Sequence, residues 1–97
     1  MMKKTYITIT GTKYYYGKDF INKGDIVTLK KDFDNVYDKE AIAVYMEGLG
    51  IIGYVANSPH TVIGESISAG RLYDRMKKKC KVKVLYNTDK GIVAEVL

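Results

Sequence analysis

Asn35, Tyr37 and Asp38 crowd together just ahead of Ile42, Val44 and Met46, an apolar alternation of the kind any buried strand requires. The strand explains the alternation but not the amide, the phenol and the carboxylate. A carboxylate in a basic protein repels phosphate, yet it accepts a hydrogen bond from a hydroxyl, as at a sugar or a strand terminus. Aspartate also commonly caps a turn by taking backbone amide protons, so both roles are open to Asp38. A second group is "GTKYYYG", which places Lys13 beside Tyr14, Tyr15 and Tyr16 between Gly11 and Gly17. Bases stack on flat rings, and phosphates seek lysine and backbone amides. The alternative is that Tyr14 or Tyr16 packs inward and the other rings only cover one end of the fold.

Other chemistries find little support. His60 has no serine or cysteine at a recognisable spacing and reads as a surface or cap residue rather than a base. Cys80 alternates with valines and reads as core. There is no phosphate loop, no paired metal-ligand spacing and no dinucleotide glycine fingerprint. Asp32, Asp34, Asp38 and Glu40 could gather round a divalent ion, but the spacing of a calcium loop is missing. The expectation is a protein that is not an enzyme and carries no cofactor.

Composition agrees. The 97 residues suit one domain, residues 1–97, and the net charge of +5 favours an anionic partner. Arg71 and Arg75 are the only arginines, and nine tyrosines with no tryptophan exceed what so small a core uses. A single cysteine excludes an intramolecular disulfide and a cysteine-based zinc site, and a reducing cytoplasm is the expected setting. The longest uncharged run, residues 48–64, is broken by Asn57, Ser58, Pro59 and His60, so no segment suits a bilayer. "MMKKTYITITG" reads as a strand rather than a secretion signal.

The elements that must position these residues follow from period and punctuation. Alternation predicts strands over residues 5–11, 26–31, 41–46, 50–56, 80–86 and 92–97. In the first, Ile7 and Ile9 point inward and Tyr6, Thr8 and Thr10 outward. "NKGD", "EGLG" and "NTDKG" are turns, and residues 31–39 form a polar loop. Gly53 inside its strand marks a bulge or a close approach by another backbone or a ligand. "NSPHTVIGESISAG" predicts the one helix, capped by Ser58, started by Pro59 and stopped at Gly70, with Val62, Ile63 and Ile67 as a lid. The fold class is therefore mainly β with one or two short helices, an OB-like or SH3-like small barrel of about six strands. The basic run from Arg71 to Lys83 reads as a second basic surface or as a wet strand edge.

Three blocks, "GTKYYYG", "GDIVTLKKDFDNVYDKEAIAVY" and "GIIGYV" with the segment after it, resemble the HIRAN domain. That module occurs in helicase-like chromatin remodellers and replication-fork proteins, and as free-standing bacterial proteins. The likeness runs over residues 11–70, and its most specific block sets Asn35, Tyr37, Asp38, Ala41, Ile42 and Val44 in the family's order. It implies an OB-like barrel that grips the free 3′ end of single-stranded DNA. On matching positions, Tyr14 and Tyr37 would stack on terminal bases, Lys13 would meet phosphate, and Asp38 would accept the 3′-hydroxyl. Asn35 would support that loop, Gly53 would let a chain pass close by, and Tyr15 and Tyr54 complete the expected nucleic-acid-binding set. Val36 replaces a usual proline, Tyr54 and Asn57 stand where DNA-binding members carry basic residues, and Lys13 lacks arginine's bidentate geometry.

The reading is a non-catalytic nucleic-acid-binding module for single-stranded DNA at its 3′-hydroxyl end. It would be accessory to DNA repair or recombination, with a helicase or nuclease as partner. The alternative is a protein–protein adaptor with a tyrosine-rich surface, and a metal-dependent nuclease using Asp34, Asp38 and Glu40 ranks last.

Overall fold

The computed structural model describes residues 4–97; Met1, Met2 and Lys3 of the N-terminal reading lie outside the described residues. Six strands form: β1 (Tyr6–Thr10), β2 (Ile26–Lys31), β3 (Ile42–Met46), β4 (Gly50–Val55), β5 (Lys79–Thr88) and β6 (Gly91–Val96). They close into a barrel in the order β1-β4-β3-β2-β5-β6, every neighbour antiparallel, with β6 paired back to β1. One short helix, α1 (Ala69–Tyr73), and a single 3₁₀ turn (Thr12–Tyr14) complete the elements. This is the expected small OB-like barrel. No helix among the described residues is long and apolar enough to cross a membrane.

Alternation sends one face of each strand inward. Val27 and Leu29 are buried while Ile26 and Lys30 are exposed, and Val82 and Val84 are buried between the exposed Lys81 and Lys83. With Ile7, Ile9, Ile42, Val44, Ile52 and Ile92 they fill the barrel. Each such side chain contributes about 1.5–3 kcal/mol on full burial.

β4 is irregular, as its glycine predicts. Val44 pairs with Gly53 and Tyr45 with Ile51, leaving Ile52 as the extra residue of a bulge. The backbone that approaches Gly53 is the protein's own. A Cβ there would lie 2.8 Å from the Thr10 carbonyl oxygen and 3.2 Å from Ile9 Cγ2. Gly53 therefore serves the close approach of β1 to β4, its antiparallel neighbour.

The predicted helix over residues 58–70 does not form. Val62 N donates to Ser58 O as a helix would require, but Gly64 then turns to φ 55° and ends the run. The segment lies instead as a strap across β1. Ile67 N donates to Tyr6 O, and Ile63 N donates to the Thr8 hydroxyl at 3.0 Å. The strap buries Thr8, whose outward position had implied exposure, and Ile67 packs against the core, so the lid survives without the helix. α1 begins later, where the Ser68 hydroxyl accepts from Arg71 N. Gly70 lies inside it, where a Cβ would meet Glu40 Oε1 at 2.8 Å, the end of an exposed side chain that can swing aside.

Replacing Gly53 by alanine forces Thr10 or β4 to shift. A loss of about 1–3 kcal/mol is expected, read as a lower urea midpoint at unchanged slope. An unchanged midpoint would show that the two strands separate at no cost.

Candidate nucleic-acid interface

The loop between β2 and β3, residues 32–41, is shaped by its own polar side chains. Asn35 Oδ1 accepts from both Tyr37 N and Asp38 N at 2.9 Å, and Asp38 Oδ1 accepts from Glu40 N at 2.9 Å. Consecutive turns of this kind hold the backbone locally. The turn-capping role open to Asp38 is thus filled by one of its oxygens. Its Oδ2 accepts from Asn57 Nδ2 at 3.3 Å, and Asn57 Oδ1 in turn accepts from Gly70 N at 2.8 Å. A carboxylate has about four acceptor sites, so Asp38 keeps capacity for a further donor. Tyr37 is 97% exposed, its ring standing out from a backbone that Asn35 holds in place.

A longer link ties this loop to the tyrosine triplet. The Tyr54 hydroxyl donates to Asp32 Oδ2 at 2.7 Å, and Asn35 Nδ2 reaches the same oxygen at 3.4 Å. The Tyr15 ring tilts onto the Tyr54 ring with centroids 6.3 Å apart. Tyr15, Tyr54, Asp32, Asn35 and Asp38 are thereby connected, with Asn57 beyond. Burial, and then the bond to Asp32, push the Tyr54 phenol well above its ordinary pKa, so it remains a donor.

None of the three consecutive tyrosines points inward, because Tyr14 ends a 3₁₀ turn and Tyr15 and Tyr16 follow it, with no strand at these positions. They do separate tasks. Tyr15 joins the network, while Tyr16 donates to Leu49 O at 3.1 Å and packs edge-on against Phe20, latching its loop to the β3–β4 turn. Tyr14, 76% exposed, carries Lys13 Nζ 5.1 Å from its centroid and lines a cleft against the β5–β6 hairpin. Lys18 in that cleft is paired with Asp89 at 2.6 Å. Lys13 and Tyr14 thus belong with one another, and the contacts of the acid-bearing loop run through Tyr15.

Asp32 and Asn57 are the residues whose roles the sequence did not disclose. Asp32 read as one acid among four, and Asn57 as a lost basic residue; their partners lie 22 and 19 residues away along the chain. No group of three histidines, cysteines or carboxylates that could hold a metal ion occurs among the described residues. His60 is exposed, with its backbone amide on Ser58 Oγ. Cys80 is half-buried against the core, and burial pushes its thiol pKa up.

The Tyr54 phenol gives a pH prediction. Its pKa in the fold is raised above 10.0, so the stability it contributes is intact below about pH 10 and lost as pH climbs beyond. Tyr54→Phe should flatten the decline of the urea midpoint above that pH and remove the last-titrating phenolate from the alkaline absorbance curve. A wild-type curve without a late-titrating phenol would contradict the part-buried bond to Asp32.

The HIRAN domain family model matches residues 2–90. No curated protein matches the chain. Among solved structures, the crystal structure of a protein from Lactobacillus plantarum superposes with a TM-score of 0.66 at 20% sequence identity, covering 95% of this chain and 88% of that one. At that identity the likeness concerns the fold. Strands β1 to β5, the strap and the Asn35–Asp38 loop all lie inside the matched span, and the chain belongs to the HIRAN domain family, a family associated with nucleic-acid binding.

Proposed function

We propose that this protein is a non-catalytic module that takes the 3′-hydroxyl end of single-stranded DNA at the β2–β3 loop. The observation that carries this reading is the pairing of a fully presented Tyr37 ring with an adjacent half-buried Asp38 carboxylate that retains acceptor capacity. Asp32, Asp34 and Glu40 surround it with further negative charge. An internal phosphate is repelled there, whereas a terminal hydroxyl donates. Tyr37 stacks on the last base, Asp38 accepts the hydroxyl, and Asn35 and Asn57 hold both in position. Tyr15 on Tyr54 offers a second ring, Lys13 and Tyr14 meet the strand further along, and Gly53 lets β4 pack closely beside β1. The net charge of +5 draws the polyanion in. Such a module serves DNA repair or recombination in the cytoplasm beside a helicase or nuclease.

A second reading, a protein–protein adaptor, draws on Phe33 and Val36, which are exposed on the same loop as Tyr37. Salt separates the two, because phosphate binding weakens steeply as salt rises.

Fluorescence polarisation with oligonucleotides ending in 3′-hydroxyl or 3′-phosphate tests the proposal. A hydrogen bond to a charged group contributes about 1.5–3 kcal/mol, so the hydroxyl end should bind roughly ten- to a hundredfold tighter. Asp38→Asn should narrow that ratio, and Tyr37→Ala should weaken both ligands by about 1–3 kcal/mol. Equal affinity for the two ends removes end recognition; no binding at low salt removes the nucleic-acid ligand as well.

A further inference from the structure

The register of the barrel aligns a row of outward residues that starts at the loop cluster. Tyr54 on β4 faces Ala43 on β3, Ala43 faces Lys30 on β2, and Lys30 faces Lys79 on β5. The next row sets Tyr45 against Thr28 and Thr28 against Lys81, and the third sets Ile26 against Lys83. Lys30, Lys79, Lys81 and Lys83 are all exposed, above the buried Leu29, Val82 and Val84. The result is a ladder of ammonium groups about 6.7 Å apart along β5, reached from Tyr54 over about 14 Å of sheet.

The charge of this ladder is not neutralised within the fold. The ion pairs among the described residues are Lys4–Glu95 and Lys18–Asp89, neither of which involves a ladder lysine. Glu95 is the one acid in register with the ladder, opposite Lys83, and its carboxylate lies 3.8 Å from Lys4. Lys30 and Lys79 also stand directly opposite one another, an arrangement of like charges that destabilises a strand pair. An anion laid across the face relieves that repulsion. Lys30 additionally holds its Nζ 4.4 Å from the Tyr45 ring centroid, placing a half-buried aromatic beside the cations.

We propose that the outer face of β3, β2 and β5 is a track for the backbone phosphates of the same single strand whose end occupies the β2–β3 loop. The choice of ligand rests on the end-binding reading. Ala43 is itself covered by its neighbours, so the strand passes from the Tyr54 ring over the side chains above it to Lys30 and on toward Lys79, Lys81 and Lys83. The loop reads the terminus; the ladder adds sequence-independent affinity.

The test uses the full chain and oligothymidylates of about four and about twelve nucleotides, spanning the range of single-strand site sizes, at roughly 50 to 200 mM salt. The wild type should bind the longer oligomer more tightly. The triple variant Lys79→Gln, Lys81→Gln, Lys83→Gln should lose that length gain. Its salt slope should fall by about 0.7 for each phosphate contact removed, while its preference for 3′-hydroxyl over 3′-phosphate stays unchanged. The matching lysine-to-arginine triple, which keeps the charges, should keep both length gain and slope. If end discrimination is absent in the wild type but the length gain still depends on these lysines, the track stands and the end-binding reading falls. An unchanged length gain and slope in the glutamine triple overturns the track. So does equally effective competition by polyglutamate of similar charge, which would mark the face as a site for acidic peptides.

Discussion

The Asp32 carboxylate is the junction on which the candidate site depends. It leaves the end of β2 and receives the Tyr54 hydroxyl from β4 and the Asn35 amide from its own loop on a single oxygen. Without it the loop bearing Asn35, Tyr37 and Asp38 and the face bearing Tyr15 and Tyr54 would be independent. A hydrogen bond to an ionised acceptor is roughly twice as strong as a neutral one, and this one is partly withdrawn from water. The junction therefore couples two surfaces that the chain builds far apart. Tyr54 serves both: its hydroxyl is committed inward to Asp32 and its ring tilts onto Tyr15.

The electrostatics divide along the same line. Four carboxylates lie within residues 32–40, and the ladder lysines lie on the neighbouring outer face. Lys30 stands two residues from Asp32, but the ladder runs away from the acids, and Lys83, opposite Ile26, lies about 20 Å of strand from Asp32, more than the Debye length of about 8 Å at physiological salt. Opposite fields persist side by side instead of neutralising one another. A net charge alone conveys nothing of this. Averaged over the chain, +5 suggests a diffuse polyanion binder; resolved in space, it separates a region hostile to phosphate from one that favours it.

What the sequence made legible was whatever rests on short-range periodicity. β2 runs over residues 26–31 as its alternation predicts, and the Gly53 irregularity appears where the glycine breaks the strand. The helix over residues 58–70 failed because cap, proline and stop signals describe the ends of a helix. They say nothing of its competitor, here β1, whose Tyr6 carbonyl takes the Ile67 amide and whose Thr8 hydroxyl takes the Ile63 amide. Thr8 failed for the same reason, since its face is wet until the strap covers it. The eight candidate residues divide similarly. Asn35, Tyr37 and Asp38 could be seen as a unit because their bonds are local. Nothing local separates Tyr15 from Tyr14, or Asp32 from Asp34, because contacts set by barrel closure assign their roles.

The loop's own rigidity settles how the departure at Val36 should be weighed. Proline would fix one φ angle. Here Asn35 already fixes the amides of Tyr37 and Asp38, and Asp38 fixes that of Glu40, whatever occupies position 36. Ordering a backbone residue costs about 1–2 kcal/mol, and stacking on one base returns about 1–3 kcal/mol. Were the loop disordered before binding, freezing two or three of its residues would consume all that Tyr37 gains from its base. A turn ordered in advance leaves that gain as affinity. If Tyr37 stacks on a base as proposed, the three backbone amides claimed by side chains within residues 35–40 preserve that gain, and they do so without a proline at position 36.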